Sequence, residues 1–500
     1  MQTSTRSSGG IQAFGSAGGG TVTPAHAGPH PDDPALPAPD PLHTLLNRCS
    51  YGIRLADWNR AVAIDYTSWM LEQLDYSALD DSAVEASVAA AFPRVGMSAG
   101  ALLADARANN NGQKAAAELR SATLLRQLQS PRQLFETMVE FWGDHFNIAT
   151  LASPESYYKN VDDRDVARAH ALGNFRDMLH ASARSLAMLY YLDNVSNKAA
   201  GPNENYAREL MELHTLGVAG GYTEQDVAEV ARCFTGWTVT TVGTEPVFTF
   251  LASRHDNGAK SVLGTAIPAG GGVNDGNLVL DLLAAHPSTA AHIARKLCVR
   301  FIGDAPQQTA IDAVAASFTA SGGNITTAMT TLLGSQEFIA SFDRKLRRPQ
   351  DYLLATLRCS DAQLSGNFLA SIINRLNTLG QLPFRWPTPD GYHDTMDAWI
   401  NAGAMLTRWN WAFAVVEGKA AGVVLDLTAL AGTATTPVAL VDRLSVRLLH
   451  RPLLAADRDS LVQFAANGGA SDRLLTAAEL PTRTRELAGL LLSSVYLQYR

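Results

Sequence analysis

From Pro41 onward, apolar residues recur every three or four positions with few interruptions, and this period constrains the fold more than any other feature. Such spacing lays an apolar stripe along one face of an α-helix. In "DPLHTLLNRCSYG" (40–52) an acid and a proline precede Leu42, Leu45 and Leu46, and Gly52 ends the run. "TEQDVAEVARCFTGW" opens with Thr223 and Asp226 at capping-box spacing, and "HPSTAAHIARKLCVRFIG" has Pro287 near a helix start. One stretch breaks the helical rule. Residues 237–264 alternate β-branched and aromatic side chains around a "GTEP" turn, which reads as a small hairpin. The expected fold is therefore all-α, with one small β-hairpin insertion near 237–264.

The same reading divides the chain into three parts. Residues 1–40 are rich in Gly, Ser, Thr, Ala and Pro; they bury too little apolar surface to offset ordering entropy and read as a disordered arm. Residues 41–434 read as a helical core domain, and 435–500 as further short helices packed on it. The glycine-rich "PAGGGVNDGN" (268–277) lacks the GK[ST] ending of a phosphate loop and reads as a flexible connection.

Composition excludes several function classes. A net charge of −8 with no long basic run argues against nucleic-acid binding. The short cluster "RKLRRP" (344–349) reads as a solvated helix end. Cys49, Cys233, Cys298 and Cys359 form no CxxC pair, so no zinc knuckle or thioredoxin-type motif is present. They read as buried thiols, with two disulfides left open for an exported chain. No run of eighteen apolar residues occurs, so no membrane span is expected. The first thirty residues lack the apolar core of a signal peptide. That favours the cytoplasm, with the periplasm or secretion as the alternative.

Two segments carry the strongest chemical signal. In "SPRQLFETMVEFWGDHFN" (130–147), Ser130, Pro131 and Gln133 suit a capped helix start. At about 100° per residue, Leu134, Met138, Phe141 and His145 share one face, and Glu136, Glu140 and Asp144 lie opposite. In "NENYARELMELHTLGV" (203–218), Glu204, Arg208 and Glu212 form an i, i+4, i+8 ion-pair ladder. His214 falls with Ala207, Leu210 and Met211, roughly opposite Glu212, while Glu209 turns toward Leu213 and Leu216. Neither HExxH nor ExxH spacing is present. His145 and His214 thus both point into apolar surroundings.

Two readings stay open. The first holds two satisfied core histidines. The second brings His145 and His214 into one sheltered pocket with Glu209 for acid–base or metal-assisted hydrolysis, imidazole and carboxylate suiting zinc, iron or manganese. His255 and Asp256 in "RHDNGAK" (254–260) would be delivered to that pocket by the hairpin loop, and all five residues are candidate catalytic groups. Arg295 and Lys296 are candidates for binding an anionic group of a small-molecule or envelope-derived substrate. Trp386, in the aromatic loop at 384–392, is a candidate recognition residue. A non-catalytic helical scaffold acting with an enzymatic partner is the competing function. No GxSxG elbow, strand-linked GxGxxG or recognisable catalytic cysteine occurs.

"FWGDHFN", "HALGNFRDML", "MLYYLDN", the run from Asn203 to Trp237, "HDNGAKSVLG" and "HPSTAAHIARKLCVRF" occur in that order, followed by "KLRRPQDYLLATLR" and "GYHDTMDAWINAGAMLTRWNWA". Together they resemble a bacterial family known as domain of unknown function 1800, over about residues 41 to 500. The resemblance implies a mainly helical fold and supplies no catalytic residues. Many relatives begin with an export signal, often twin-arginine-like, which this sequence departs from. Relatives are often encoded beside a sulfatase- or phosphatase-like partner, which implies a role in processing extracellular or envelope material by association alone.

Overall fold

The computed structural model describes residues 40–109 and 112–500. The expectation of a disordered arm falls, Asp40 apart, outside the described residues. The molecule is mainly α-helical, and its strands form three small two-stranded antiparallel sheets among the described residues.

The helical period holds along the described chain. Asp40 caps the helix Pro41–Cys49 by accepting from Leu42 N at 2.9 Å. Helix α1 (Gln133–His145) begins two residues later than its sequence suggests. The Ser130 hydroxyl accepts from Arg132 N at 3.0 Å, and the Gln133 amide donates to Ser130 O at 2.8 Å, so these polar groups hold the approach to the helix rather than cap it. Helix α2 (Asn205–Glu209) runs without a break into a π-helical turn, Leu210–Thr215. Helix α3 (Glu224–Cys233) carries the expected capping box between Thr223 and Asp226.

The hairpin pairs β1 (Trp237–Val242) with β2 (Glu245–Phe250), Trp237 facing Phe250 and Val242 facing Glu245. A second hairpin follows, β3 (Lys260–Val262) with β4 (Thr265–Ile267). The glycine-rich stretch is a loop only in part. Its second half enters α4 (Val273–Ala284), where Gly276 lies so close to Trp237 that an added Cβ would sit 2.6 Å from the ring. Then come α5 (Pro287–Phe301), α6 (Pro349–Cys359) and α7 (Ala402–Val416).

A large apolar cluster, with members from Leu42 to Phe338, encloses α1, whose Leu134, Met138, Phe141 and Trp142 are all buried. Toward the C-terminus the Tyr352 hydroxyl of α6 donates to the carbonyls of Arg408 and Leu492, and the Trp411 indole donates to Thr356 Oγ1 at 2.7 Å. These bonds fasten the C-terminal helices to α6. All four cysteines are buried and free.

Candidate functional site

Three backbone features bring the site together. Asn147, just past α1, donates its amide to the carbonyls of Trp386 at 3.0 Å and Thr388 at 2.7 Å, which holds the 384–392 loop against the end of the helix. Gly391 (φ +73°) presses on α1 so closely that a Cβ would meet Asp144 O at 2.1 Å. The π turn at 210–215 opens the spiral by one residue, with Leu216 N bonded to Met211 O at 2.9 Å. π turns recur at functional sites because they re-aim side chains that a regular helix would place elsewhere.

The result is a cluster of three imidazoles and one amine. The His145 and His214 ring centroids are 6.0 Å apart, and those of His145 and His292 are 6.3 Å apart. His145 Nε2 lies 3.1 Å from His214 O, a carbonyl that only accepts, so His145 carries its proton on Nε2. Its bare Nδ1 then accepts from Lys296 Nζ at 3.0 Å. His292 Nε2 donates to Leu213 O at 3.1 Å. His214 is buried and its Nε2 has no hydrogen-bond partner. Phe146 and Phe175 line the same region, with ring centroids 4.6 and 6.2 Å from that of His145.

Electrostatics follow from this packing. Burial, with the Lys296 charge second, holds His145 well below the ordinary imidazole value and lowers His214 to about 3 and His292 to about 4. All three are neutral at pH 7. Burial also lowers Lys296, opposed by Asp394, Asp144 and Asp390. Lys296 is distinctive in its partner. The buried lysines Lys159, Lys260 and Lys345 each meet a carboxylate, Asp162, Asp275 and Asp304, at 2.6, 2.6 and 2.7 Å. Half-buried Lys296 makes no ion pair among the described residues and hydrogen-bonds to a neutral imidazole instead.

The other candidates disperse. Glu209 is half-buried, its carboxyl raised first by burial and then by Glu212, with Arg208 opposing and Asp390 adding to the rise. The ladder is rearranged: Arg208 meets Glu204 at 3.2 Å and Glu224 at 2.7 Å, because the π turn takes Glu212 off the i+4 line. Arg295 points away from Lys296 and donates to Gln308 at 3.0 Å, so the two cations form no anion clamp. His255 is locked by Thr235 O at 2.8 Å and Asp275 at 3.1 Å, and Asp256 pairs with Arg232 at 2.7 Å. Both serve the hairpin base and make no bond to the imidazole cluster. Trp386 donates to Asp390 at 2.8 Å and packs on Tyr392, whose ring centroid lies 5.2 Å away.

His145, His214 and Glu209 do not suit a shared metal. His145 has committed both nitrogens, and among the described residues no group of three or more His, Cys, Asp or Glu is arranged to hold an ion.

A second polar layer, on the opposite side of α1, escaped the sequence reading. "RKLRRP" is not a solvated helix end: Lys345, Arg347 and Arg348 are buried, and only Arg344 is exposed. Arg348 meets Glu140 at 2.7 Å and Asp144 at 3.0 Å, while Arg300 meets Glu140 at 2.9 Å and Asp394 at 3.1 Å. Asp351, also buried, forms an ion pair with Arg500 at 3.1 Å. Burial pushes the Asp144 carboxyl up, against Arg348. A cavity of about 20 Å³ beside this layer is lined by Glu140, Asp144, Asp163 and Phe384, among others, and holds no more than a water-sized guest.

No curated protein matches the chain, and no solved structure does. The model of a family described as a protein of unknown function, DUF1800, matches residues 44–498. With nearly its whole length matched, the chain belongs to the DUF1800 family.

Proposed function

We propose that the protein is an enzyme of the acid–base hydrolase type, with Lys296 and His145 as its proton-transfer pair. The observation that carries this reading is the half-buried Lys296 amine bonded at 3.0 Å to a bare imidazole nitrogen, where every buried lysine has a carboxylate. An amine held this way gives up its proton more readily than an ion-paired one, and displaced proton affinities concentrate at working sites. His145 receives the proton on Nδ1, and the His214 carbonyl fixes its ring. His214 Nε2 is buried without a hydrogen-bond partner, in a ring centred 6.0 Å from that of His145. Asp390 acts electrostatically on both Lys296 and Glu209, so Glu209 stands at the edge of the same region as a further acid.

Untagged protein assayed against model esters, amides, phosphate and sulfate esters and glycosides tests the reading. Turnover on one class should fall about 10²–10⁴-fold in Lys296→Met and in His145→Asn, the range that acid–base groups supply. Turnover unchanged in both variants contradicts it.

An exposed apolar face favours a second reading, docking to a separate sulfatase- or phosphatase-like enzyme chain. Leu406 and Trp409 of α7, with Ile400 just before it, are 55%, 45% and 43% exposed. Association with such a partner should be lost in Leu406→Glu/Trp409→Glu and kept in His145→Asn. No helix among the described residues is long and apolar enough to cross a membrane.

A further inference from the structure

The contrast among the lysines reaches beyond proton transfer. An ammonium gripped by a carboxylate keeps its proton and has no lone pair to offer. Lys159, Lys260 and Lys345 are of that kind, and Lys260 also donates to the carbonyls of Asp256 and Gly258. Lys296 has one hydrogen-bond partner among the described residues, the Nδ1 of a neutral imidazole, and keeps part of its surface open to solvent. Its charge is felt by His145, His214 and His292, and Asp394, Asp144 and Asp390 act on it without forming an ion pair. A partly desolvated amine with a proton acceptor in contact is the arrangement that makes a lysine a nucleophile.

We propose that Lys296 is a carbonyl-reactive amine, whose Nζ adds to an aldehyde or ketone substrate and forms an imine. The inference rests on the acid–base pair of that reading and goes beyond its hydrolytic chemistry. The neutral amine's lone pair forms the C–N bond while the carbonyl π electrons move to oxygen. The nitrogen then passes one proton to His145 Nδ1. That proton goes to the alkoxide oxygen and gives the carbinolamine. The second N–H proton then follows the same route to the hydroxyl while the nitrogen lone pair forms the C=N bond, and the C–O bond breaks with water leaving. Amine plus carbonyl thus give imine plus one water, with no external oxidant or reductant.

Glycolaldehyde with cyanoborohydride at pH 7, followed by peptide mapping, tests the proposal on the full chain. Reduction fixes any imine as a hydroxyethyl amine. Lys296 should carry the adduct severalfold faster than the exposed Lys114, Lys198 and Lys419. His145→Asn should slow the Lys296 adduct severalfold and leave Lys419 unchanged. Lys296 labelled no faster than Lys419 overturns the proposal. Acetic anhydride at the same pH separates the two failures, since it acylates any reachable free amine. Fast acetylation of Lys296 without an aldehyde adduct overturns the imine and leaves the acid–base reading standing. Slow reaction with both reagents overturns both.

Discussion

An added methyl group at Gly217 would lie 2.8 Å from His292 Nδ1, on a backbone whose φ of +80° already disfavours a side chain. Gly217→Ala is therefore predicted to cost about 1–3 kcal/mol, read as a lower urea midpoint, and to displace His292 from Leu213 O. An unchanged midpoint would mean that the turn relaxes freely. At this scale the sequence was half informative. Apolar spacing placed His145 and His214 inward, and the structure puts their rings side by side. The expected convergence of Arg295 and Lys296 on one anion does not form, although the two are adjacent in the chain. Neighbours on a helix point about 100° apart, so Arg295 reaches Gln308 while Lys296 reaches an imidazole 151 residues away.

At the scale of elements, α1 is polar on one face and apolar on the other, yet both faces are enclosed. Its Glu136, Glu140 and Asp144 meet Arg168, Arg300 and Arg348. Removing one cation from such a layer leaves carboxylates buried without compensation. Arg348→Met should lose about 3–5 kcal/mol by denaturant unfolding, several times the effect of Arg60→Met, whose pair with Glu72 is largely exposed. Equal small losses would show the layer to be hydrated. Helical period made α1 legible but not the burial of its acids, because the arginines that cover them lie up to 208 positions away, at Arg348 against Glu140. The π turn was equally invisible. A projection at 100° per residue assumes regular winding, and the extra residue at 210–215 is what replaces Glu212 by Glu224 beside Arg208.

Across the whole molecule, the expected class held: helices throughout and small hairpins where the alternation ran. The period-3.6 signal is local and so can be read from sequence, whereas the sharing of charge between distant segments is not. Stability should carry the mark of the buried imidazoles. His43 and His214 are lowered to about 3, His292 and His450 to about 4, and His145 further, in each case by burial first. Below the ordinary imidazole value near 6.5 the unfolded chain binds protons that the folded chain refuses, so stability is full above about pH 6.5 and falls as the pH drops toward 4. Asp144 and other carboxyls raised by burial, Asp163, Glu209 and Asp343 among them, act in the opposite sense. His214→Asn should flatten the slope between pH 5 and 6 by about one proton, on the order of 1.4 kcal/mol per pH unit; an unchanged slope would show that His214 already titrates near its ordinary value in the folded state.

Lys296 is a half-buried amine held by a neutral imidazole instead of a carboxylate. The pH dependence of its acetylation rate by trace acetic anhydride, read peptide by peptide against Lys114 and Lys419 in the same tube, tests this most directly. Lys296 should show a midpoint clearly below that of the two exposed lysines, and a different midpoint in His145→Asn. A Lys296 midpoint coincident with theirs and indifferent to His145 would contradict it.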